Sequence, residues 1–144
     1  MKIINEFQGD YRWLSNFWDC HIIADGELYP SVEHAYCALK TLDPNERKRI
    51  RLAPTPGLAK KLGRSVTMRG DWFDARLIVM GGLISQKFSD RNPILADLLK
   101  GTFDDVLIEG NTWGDTFWGM CYGKGENHLG HIIMNRRSEL LGAL

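Results

Sequence analysis

The sequence predicts an α+β fold, predominantly helical with a few short strands, in a single compact domain that spans residues 1–144. At 144 residues the chain has the length of one domain that buries its own core. Helix-capping signals and apolar residues at helical spacing recur along the chain, whereas residues with strand character occur only in short runs. The composition, with 44% hydrophobic and 25% charged residues, is that of an ordinary soluble protein.

The N-terminal segment is predicted to hold a short strand followed by a loop. The strand is Ile3–Phe7, and residues 9–17 lack both helical and strand periodicity, which is typical of a loop. This loop carries donors suited to a phosphate or a ribose, namely Arg12, Ser15 and Asn16. Alternatively, these side chains tie the loop down through their own hydrogen bonds.

A hairpin and a helix are predicted next. Asp25 and Gly26 tolerate the positive φ angles of a tight turn, which predicts a hairpin over residues 21–29. Ser31 is the predicted N-cap of a helix that runs to about Lys40.

One face of this helix carries chemically interesting side chains. Glu33, Cys37 and Lys40 lie at positions i, i+4 and i+7, so they stack along one face, beside the apolar stripe. A carboxylate and an amine in this arrangement are either a catalytic pair or two solvated surface groups.

Five further helices are predicted from capping and breaking residues. Asp43-Pro44 begins the first, with Glu46 in the position of a capping box. The second helix begins at Thr55-Pro56 and ends at Gly63, and the third begins after Asp71 and covers residues 72–88. The fourth begins after Asn92-Pro93 and covers residues 94–100, and the fifth covers residues 129–141. Residues 106–108 are predicted to form a short buried strand.

The longest of these helices, over 72–88, contains two unusual features. Its core positions at helical spacing are Leu77, Met80, Ile84 and Phe88. The pair Gly81-Gly82 weakens the middle of a helix, so we expect a close approach of another element there to offset that cost.

The chain has a formal net charge of zero, but its basic residues are concentrated. Residues 47–70 contain eight Lys or Arg and no acidic residue. This segment is either a binding surface for phosphates or nucleic acid, or a solvated face that acidic residues elsewhere balance.

Residues 111–130 form a glycine-rich stretch in which Asp115 lies between Trp113 and Trp118. Glycines allow positive φ angles and close approach of other groups, and apolar walls with a few polar groups suit a small-molecule pocket. The alternative is an ordinary loop whose tryptophans fold back into the core.

Several classes of site and location are not supported by the sequence. There is no P-loop or Rossmann glycine motif, and the histidine pair His128 and His131 lacks the carboxylate of a metalloprotease motif, so we expect neither a cofactor nor a metal. No signal peptide or membrane-spanning run is present. The three cysteines lack CxxC spacing, which favours a reducing compartment and a cytoplasmic location.

Taken together, short motifs along almost the whole chain resemble the NADAR (YbiA-like) domain family. They occur in the family's order at residues 11–17 (Tyr-Arg-Trp-Leu-Ser-Asn-Phe), 29–36 with Lys40, 60–64, 69–72, 109–119 and 125–130. The resemblance implies an N-glycosidase that cleaves a ribosyl C–N bond. Its substrates would be phosphoribosylamino-pyrimidine intermediates of riboflavin synthesis, or ADP-ribosylated guanine, including guanine in nucleic acid.

The resemblance also implies which residues act. The family's functional positions carry over onto Glu33, Trp72 and Asp115, with Lys40 as a further candidate. The chain departs from the family at Trp18, where a smaller aromatic is usual, and at Cys37, where Gln is frequent. Both departures concern the choice of substrate.

Two routes to C–N cleavage are open at this point. In the first, Glu33 does the acid–base work while Asp115 holds the ribose or stabilises the growing positive charge. In the second, Lys40 forms a Schiff base with the ring-opened sugar. The predicted substrate-binding residues are Trp72, Trp118, Arg12, Ser15, Asn16, Asn111, Trp113, Lys60, Lys61 and Asn127. The functional alternatives are a non-catalytic module that binds NAD or ADP-ribose and a nucleic-acid-binding protein.

Overall fold

The computed structural model describes residues 1–142, and these residues form seven helices and six short strands, which confirms the predicted helix-rich α+β class. The helices are a 3-10 helix at Gly9–Leu14, α1 (Val32–Leu39), α2 (Pro44–Arg51), α3 (Pro56–Gly63), α4 (Trp72–Lys87), α5 (Pro93–Lys100) and α6 (His128–Gly142). The strands are β1 (Ile3–Ile4), β2 (Ile22–Ala24), β3 (Glu27–Tyr29), β4 (Val106–Leu107), β5 (Gly110–Asn111) and β6 (Met120–Cys121). None of the described helices is both long and apolar enough to cross a bilayer.

The chain divides into two units. The first comprises Met1–Ser15 and the described part of Phe88–Leu144. In it, β1 pairs in parallel with β4, β5 pairs in parallel with β6, and α6 packs against β4 and α5. The second comprises Asn16–Lys87, in which α1 packs against α2, α3 and α4 beside the β2–β3 hairpin. The division into one domain stays a prediction.

Local sequence signals predict the hairpin and the start of α1 correctly. β2 pairs antiparallel with β3, and Asp25 and Gly26 occupy the turn with φ angles of 55° and 74°. Ser31 caps α1 because its Oγ accepts a hydrogen bond from the backbone N–H of His34 at 3.1 Å. Both features depend on neighbours in sequence, which is why the sequence predicts them.

Residues 9–14 form a 3-10 helix, so the prediction of a loop over this whole stretch is wrong. A short 3-10 helix repeats every three residues and contains too few turns for an apolar stripe to be detected. It buries Trp13 and Leu14 at its end. The first strand is also shorter than predicted, since only Ile3–Ile4 pairs with β4.

Glu46 makes no capping box with Asp43, contrary to prediction. The backbone N–H of Asp43 donates instead to the Thr41 hydroxyl, and this hydroxyl donates to Glu46 Oε1 at 2.7 Å. The backbone N–H of Thr67 donates to the same carboxylate, 3.0 Å from Oε2. The Glu46 carboxylate therefore links Thr41, which follows α1, to Thr67, which precedes Arg69.

In α4, Met80, Ile84 and Phe88, which directly follows the helix, are buried as predicted, but Leu77 is 39% exposed. The expected close approach at Gly81 and Gly82 is also wrong, because a Cβ at either position would meet no described atom within 4 Å. Nothing in the described structure explains the glycine pair.

Lys87 ends α4 with its side chain fully buried. Burial lowers the pKa of its amine to about 7 from 10.5, and the neighbouring Cys20 thiol opposes part of this shift. The folded state therefore binds fewer protons than the unfolded state above pH 7. The free energy of unfolding consequently rises with pH between 7 and 10.5, and the buried lysine destabilises the folded state most at and below pH 7.

We expect the free energy of unfolding to rise by about 1 kcal/mol between pH 7 and pH 8 because of this lysine. Urea unfolding at both pH values measures the rise, and Lys87→Met should remove it. Measurements stop at pH 8 because burial raises the pKa of Cys20 and Cys37, and ionisation of unfolded thiols near their usual pKa of 9.0 acts in the opposite direction. An equal rise in the wild type and the variant would contradict the assignment.

Candidate functional site

In the second unit the candidate site is built on α1, whose start is locked by a short hydrogen-bond chain. His34 Nε2 lies 3.0 Å from the Ala53 carbonyl oxygen, which can only accept, so Nε2 carries the proton. His34 Nδ1 then accepts from the Ser31 hydroxyl at 2.6 Å. His34 was absent from the sequence prediction, although a histidine three residues after a serine cap was its one local signal.

Glu33, which is half-buried, and Cys37, which is buried, contact one another on this helix. The Cys37 Sγ donates to Glu33 Oε1 at 3.5 Å, and the backbone N–H of Glu33 donates to the Asn16 carbonyl at 3.0 Å. Burial, and then the Glu33 charge, raise the pKa of Cys37, so its thiol stays protonated and remains a donor. The half-buried Glu33 carboxylate thus accepts a hydrogen bond from an uncharged group, the Cys37 thiol, one helical turn along α1.

Gly63 explains how Cys37 is confined. A Cβ at position 63 would lie 2.8 Å from both Cβ and Sγ of Cys37, so α3 crosses α1 closely at this glycine. The thiol therefore lies in the crossing of the two helices, with Glu33 one turn above it.

Two lysines complete the cluster in this unit. The positive charges of Lys40 and Lys60 both act to lower the pKa of Cys37, against the stronger effect of burial. Lys40 Nζ lies 5.6 Å from the centre of the Tyr36 ring, and Lys60 Nζ lies 5.9 Å from that of Phe17. Glu33 and Lys40 thus lie on α1 with Cys37, Lys60 lies on α3, which crosses α1 at Gly63, and Lys61 is exposed on α3.

Trp72 begins α4 and is buried against Tyr36, with ring centroids 5.0 Å apart. Since Lys40 lies over the Tyr36 ring, a continuous contact chain links Lys40, Tyr36 and Trp72. The predicted catalytic amine and the predicted stacking residue are therefore neighbours in the second unit.

The three predicted donors near residue 15 have different surroundings. Asn16 accepts from Glu33 through its carbonyl, its Nδ2 donates to Met80 Sδ at 3.7 Å, and its buried Oδ1 has no hydrogen-bond partner in the described chain. Arg12 is exposed, and the Ser15 N–H donates to its carbonyl at 3.0 Å at the end of the 3-10 helix. Asn16 is thus the donor that contacts the α1 cluster directly.

In the first unit Asp115 lies in the loop between β5 and β6, which we call the Asp115 loop (residues 112–119). Its Oδ1 accepts from the backbone N–H groups of Phe117 at 3.1 Å and Trp118 at 2.9 Å. Oδ2 makes no hydrogen bond with any part of the chain that the structure describes. One oxygen of the carboxylate therefore shapes the loop and the other is available to a ligand.

Asn111 clamps this loop. Its Oδ1 accepts from the Asp115 N–H at 3.0 Å, and its Nδ2 donates to the Asp115 carbonyl at 2.8 Å. Because Asn111 is buried and both polar atoms of its amide are engaged, it positions Asp115.

The two tryptophans of the loop differ. Trp118 packs edge-on against Phe117, with ring centroids 4.8 Å apart at 89°, and Phe117 lies 4.5 Å from the His128 ring. Trp113 is 57% exposed. The alternative in which both tryptophans fold back as core residues therefore fails for Trp113, while Trp118 belongs to a partly buried aromatic cluster.

The Asn127 side chain makes hydrogen bonds with the neighbouring backbone. Its Oδ1 accepts from the Glu109 N–H and its Nδ2 donates to the Leu107 carbonyl, both at 3.0 Å. It is buried and has a φ angle of 52°. A Cβ at Gly130 would lie 2.4 Å from the Asn127 Nδ2, so the start of α6 requires glycine there.

The basic segment is partly neutralised. Arg47 pairs with Asp25 at 2.8 Å, Arg51 approaches Glu27 at 3.9 Å, and Arg69 pairs with Asp71 at 2.6 Å. These pairs favour the interpretation of residues 47–70 as a balanced basic face. Across residues 1–142, no group of three His, Cys, Asp or Glu side chains is arranged to hold a metal ion.

Each unit thus contributes one set of predicted residues. Glu33, Lys40, Lys60 and Trp72 come together in the second unit, and Asn111, Asp115, Trp118 and Asn127 in the first. That Glu33 and Asp115 act on the same sugar stays a prediction.

Comparisons with known proteins match these features. Residues 4–141 match the model of the NADAR domain. The chain is 36% identical over 134 residues to N-glycosidase YbiA of Escherichia coli, covering 91% of this chain and 82% of that protein. It is also 36% identical to an N-glycosidase of Nostoc punctiforme, covering 93% of this chain and 88% of the relative.

Two further comparisons extend the match. A riboflavin biosynthesis protein of Vibrio vulnificus is 36% identical, but the chain covers only 36% of its length. The NMR structure of Escherichia coli YbiA aligns with a TM-score of 0.87 at 34% identity, covering 99% of this chain and 86% of YbiA.

Proposed function

This chain belongs to the NADAR domain family and is an N-glycosidase, and from this premise we propose that it cleaves the ribosyl C–N bond of a phosphoribosylated or ADP-ribosylated amino heterocycle. One observation carries the proposal. A half-buried carboxylate, Glu33, accepts a hydrogen bond from a thiol that is kept protonated, and the same unit carries the amines of Lys40, over the Tyr36 ring, and Lys60, over the Phe17 ring. This cluster combines a proton carrier with cations suited to a phosphorylated sugar.

Glu33 is the proton carrier in this proposal. Cleavage of a ribosyl C–N bond requires a proton on the departing nitrogen, and a positioned carboxylic acid supplies it. The same group, once ionised, takes a proton from the incoming nucleophile. Because α1 is fixed by Ser31 and His34, the Glu33 side chain projects from a rigid element.

Asp115 holds the ribose. Its Oδ2 is available while Oδ1 is bound to the loop backbone, so one charged oxygen can accept from a ribose hydroxyl or stabilise positive charge at C1′. Trp118, within the loop, packs against the base or sugar, and Trp113 remains exposed for a larger ligand.

Lys40 defines a second route. Its amine attacks C1′ of the ring-opened sugar, the leaving nitrogen takes a proton from Glu33, and the resulting imine is hydrolysed by water to regenerate the amine. Lys40 makes no ion pair with a carboxylate among residues 1–142, and its amine lies over the Tyr36 ring. Borohydride distinguishes the routes, since it reduces an imine to a stable adduct on Lys40 and leaves the direct route untrapped.

Lys60 and Lys61 of the second unit and Arg12 of the first unit bind the phosphates in this proposal, and Lys61 and Arg12 are exposed. The phosphoribosylamino-pyrimidine class is supported by the relative that is named a riboflavin biosynthesis protein. ADP-ribosylated guanine, free or in nucleic acid, is the second class. The free thiols Cys20, Cys37 and Cys121 fit a reducing compartment, so we place the activity in the cytoplasm.

The test is incubation of the purified protein with phosphoribosylamino-pyrimidine and, separately, with ADP-ribosylated guanosine. Mass spectrometry detects the released base and sugar. Release from at least one substrate supports the proposal, and the absence of release from both would refute it in favour of a non-catalytic binding module.

A further inference from the structure

A pocket of about 360 Å³ lies in the first unit beside the Asp115 loop. The residues that bound what we call the Tyr122 pocket are Asn5, Glu6, Ile108, Thr112, Met120 and Tyr122. Asn111 also lines the pocket while its amide clamps Asp115. The volume lies at the lower end of the range of about 300–1,000 Å³ found for small-molecule sites. Asn111 therefore contacts both Asp115 and this pocket.

Tyr122 occupies a position that neither folding nor burial explains. The Cys121 N–H donates to the Lys124 carbonyl at 2.8 Å and the Lys124 N–H donates back at 3.1 Å, so Tyr122 and Gly123 form a two-residue turn. Their φ angles are 50° and 78°, which Asn, Asp and Gly adopt at least cost. A tyrosine with this backbone and 81% exposure gains nothing from the turn or the core, and such outliers cluster where ligands bind.

The charges of the pocket select the chemistry of its ligand. Glu6 is the one charged side chain that lines it, and Glu6 makes no hydrogen bond or ion pair within residues 1–142. No lysine or arginine lines the pocket, so a phosphate gains nothing there and is repelled by the carboxylate. An aromatic ring with an N–H donor matches both the Glu6 carboxylate and the apolar lining residues Ile108 and Met120.

We propose that the Tyr122 pocket binds the remote aminopurine base of an ADP-ribosylated substrate. The base stacks on the Tyr122 ring, and its exocyclic amino group donates to Glu6. The proposal rests on the proposed function, because it takes the ribose at Asp115 as the anchor from which the substrate extends. A phosphoribosylamino-pyrimidine has no second base, so the pocket favours the ADP-ribosyl class.

The test compares the affinities of two probes, ADP-ribose and ribose 5-phosphate, by isothermal titration calorimetry. Tyr122→Asn removes the stacking ring and should weaken ADP-ribose binding by about 5- to 100-fold. It should leave ribose 5-phosphate unchanged. Tyr122→Phe keeps the ring and should bind both probes like the wild type. Because asparagine suits a positive φ angle, Tyr122→Asn should melt at or above the wild-type temperature, which separates lost binding from lost folding.

Glu6 is tested with an analogue of ADP-ribose whose adenine is replaced by unsubstituted purine, which carries hydrogen in place of the amino group and has no N–H donor on that edge. The wild type should bind the analogue more weakly than ADP-ribose, and Glu6→Ala should bind the two alike.

The proposal is overturned if wild-type protein fails to bind ADP-ribose, if Tyr122→Asn weakens both probes equally, or if it weakens neither. Failure of the proposed function is seen separately. It would appear as the absence of turnover of both substrates by the wild type, whatever the affinity for ADP-ribose.

Discussion

Replacing Glu33 with glutamine should lower kcat by about 10²- to 10⁴-fold, since this is the range that a positioned general acid or base contributes. Glutamine keeps the size of the side chain and an acceptor for the Cys37 thiol, whose Sγ lies 3.5 Å from Glu33 Oε1. It cannot supply a proton at the required acidity. KM should therefore change little, because the loss falls on the transition state alone.

The measurement is steady-state turnover of whichever substrate the wild type cleaves, with binding of the product sugar phosphate followed in parallel. Glu139→Gln is the matched control, because Glu139 is a helix carboxylate on α6 that pairs with Arg136 at 3.5 Å. It should retain wild-type kcat. A Glu33→Gln enzyme with more than a tenth of the wild-type kcat would remove Glu33 from the acid–base role.

The parts of the fold that the sequence predicts are those fixed by neighbouring residues. The caps Ser31 and Thr55 each accept a hydrogen bond from a backbone N–H three residues later. The turn at Asp25-Gly26 uses positive φ angles that these two residue types adopt readily. Glu46 shows the opposite case. Its partners Thr41 and Thr67 meet only when the chain folds, so a local capping pattern misidentifies them.

The same distinction holds for the candidate site. Helical periodicity places Glu33, Cys37 and Lys40 on one face, and in the structure the Cys37 thiol contacts Glu33, with Sγ 3.5 Å from Oε1. The role of Cys37 beneath Glu33 depends on the crossing at Gly63, 26 positions along the chain, and no spacing rule reveals it. Asn111 and Asp115 are only four residues apart, but the two hydrogen bonds between them form only in the folded loop. The sequence alone therefore does not show that the Asn111 amide positions Asp115.

Asp115→Asn should lower kcat by about 10²- to 10³-fold, as the loss of one preorganised electrostatic group does in other enzymes. The carbonyl oxygen of asparagine can take the place of Oδ1 and still accept from the N–H groups of Phe117 and Trp118, so the loop should keep its shape. The amide nitrogen then replaces Oδ2, which removes the negative charge that we propose contacts the ribose.

Comparison with Asn111→Ala makes the result specific. That variant deletes the two hydrogen bonds to the Asp115 backbone, so it should lose thermal stability as well as activity. Asp115→Asn should lose activity alone, with a melting temperature close to that of the wild type. An active Asp115→Asn enzyme would assign the carboxylate to loop structure only. Equal melting losses in the two variants would show that Oδ1 holds the loop through its charge, since an uncharged acceptor in the same place would then have failed to replace it.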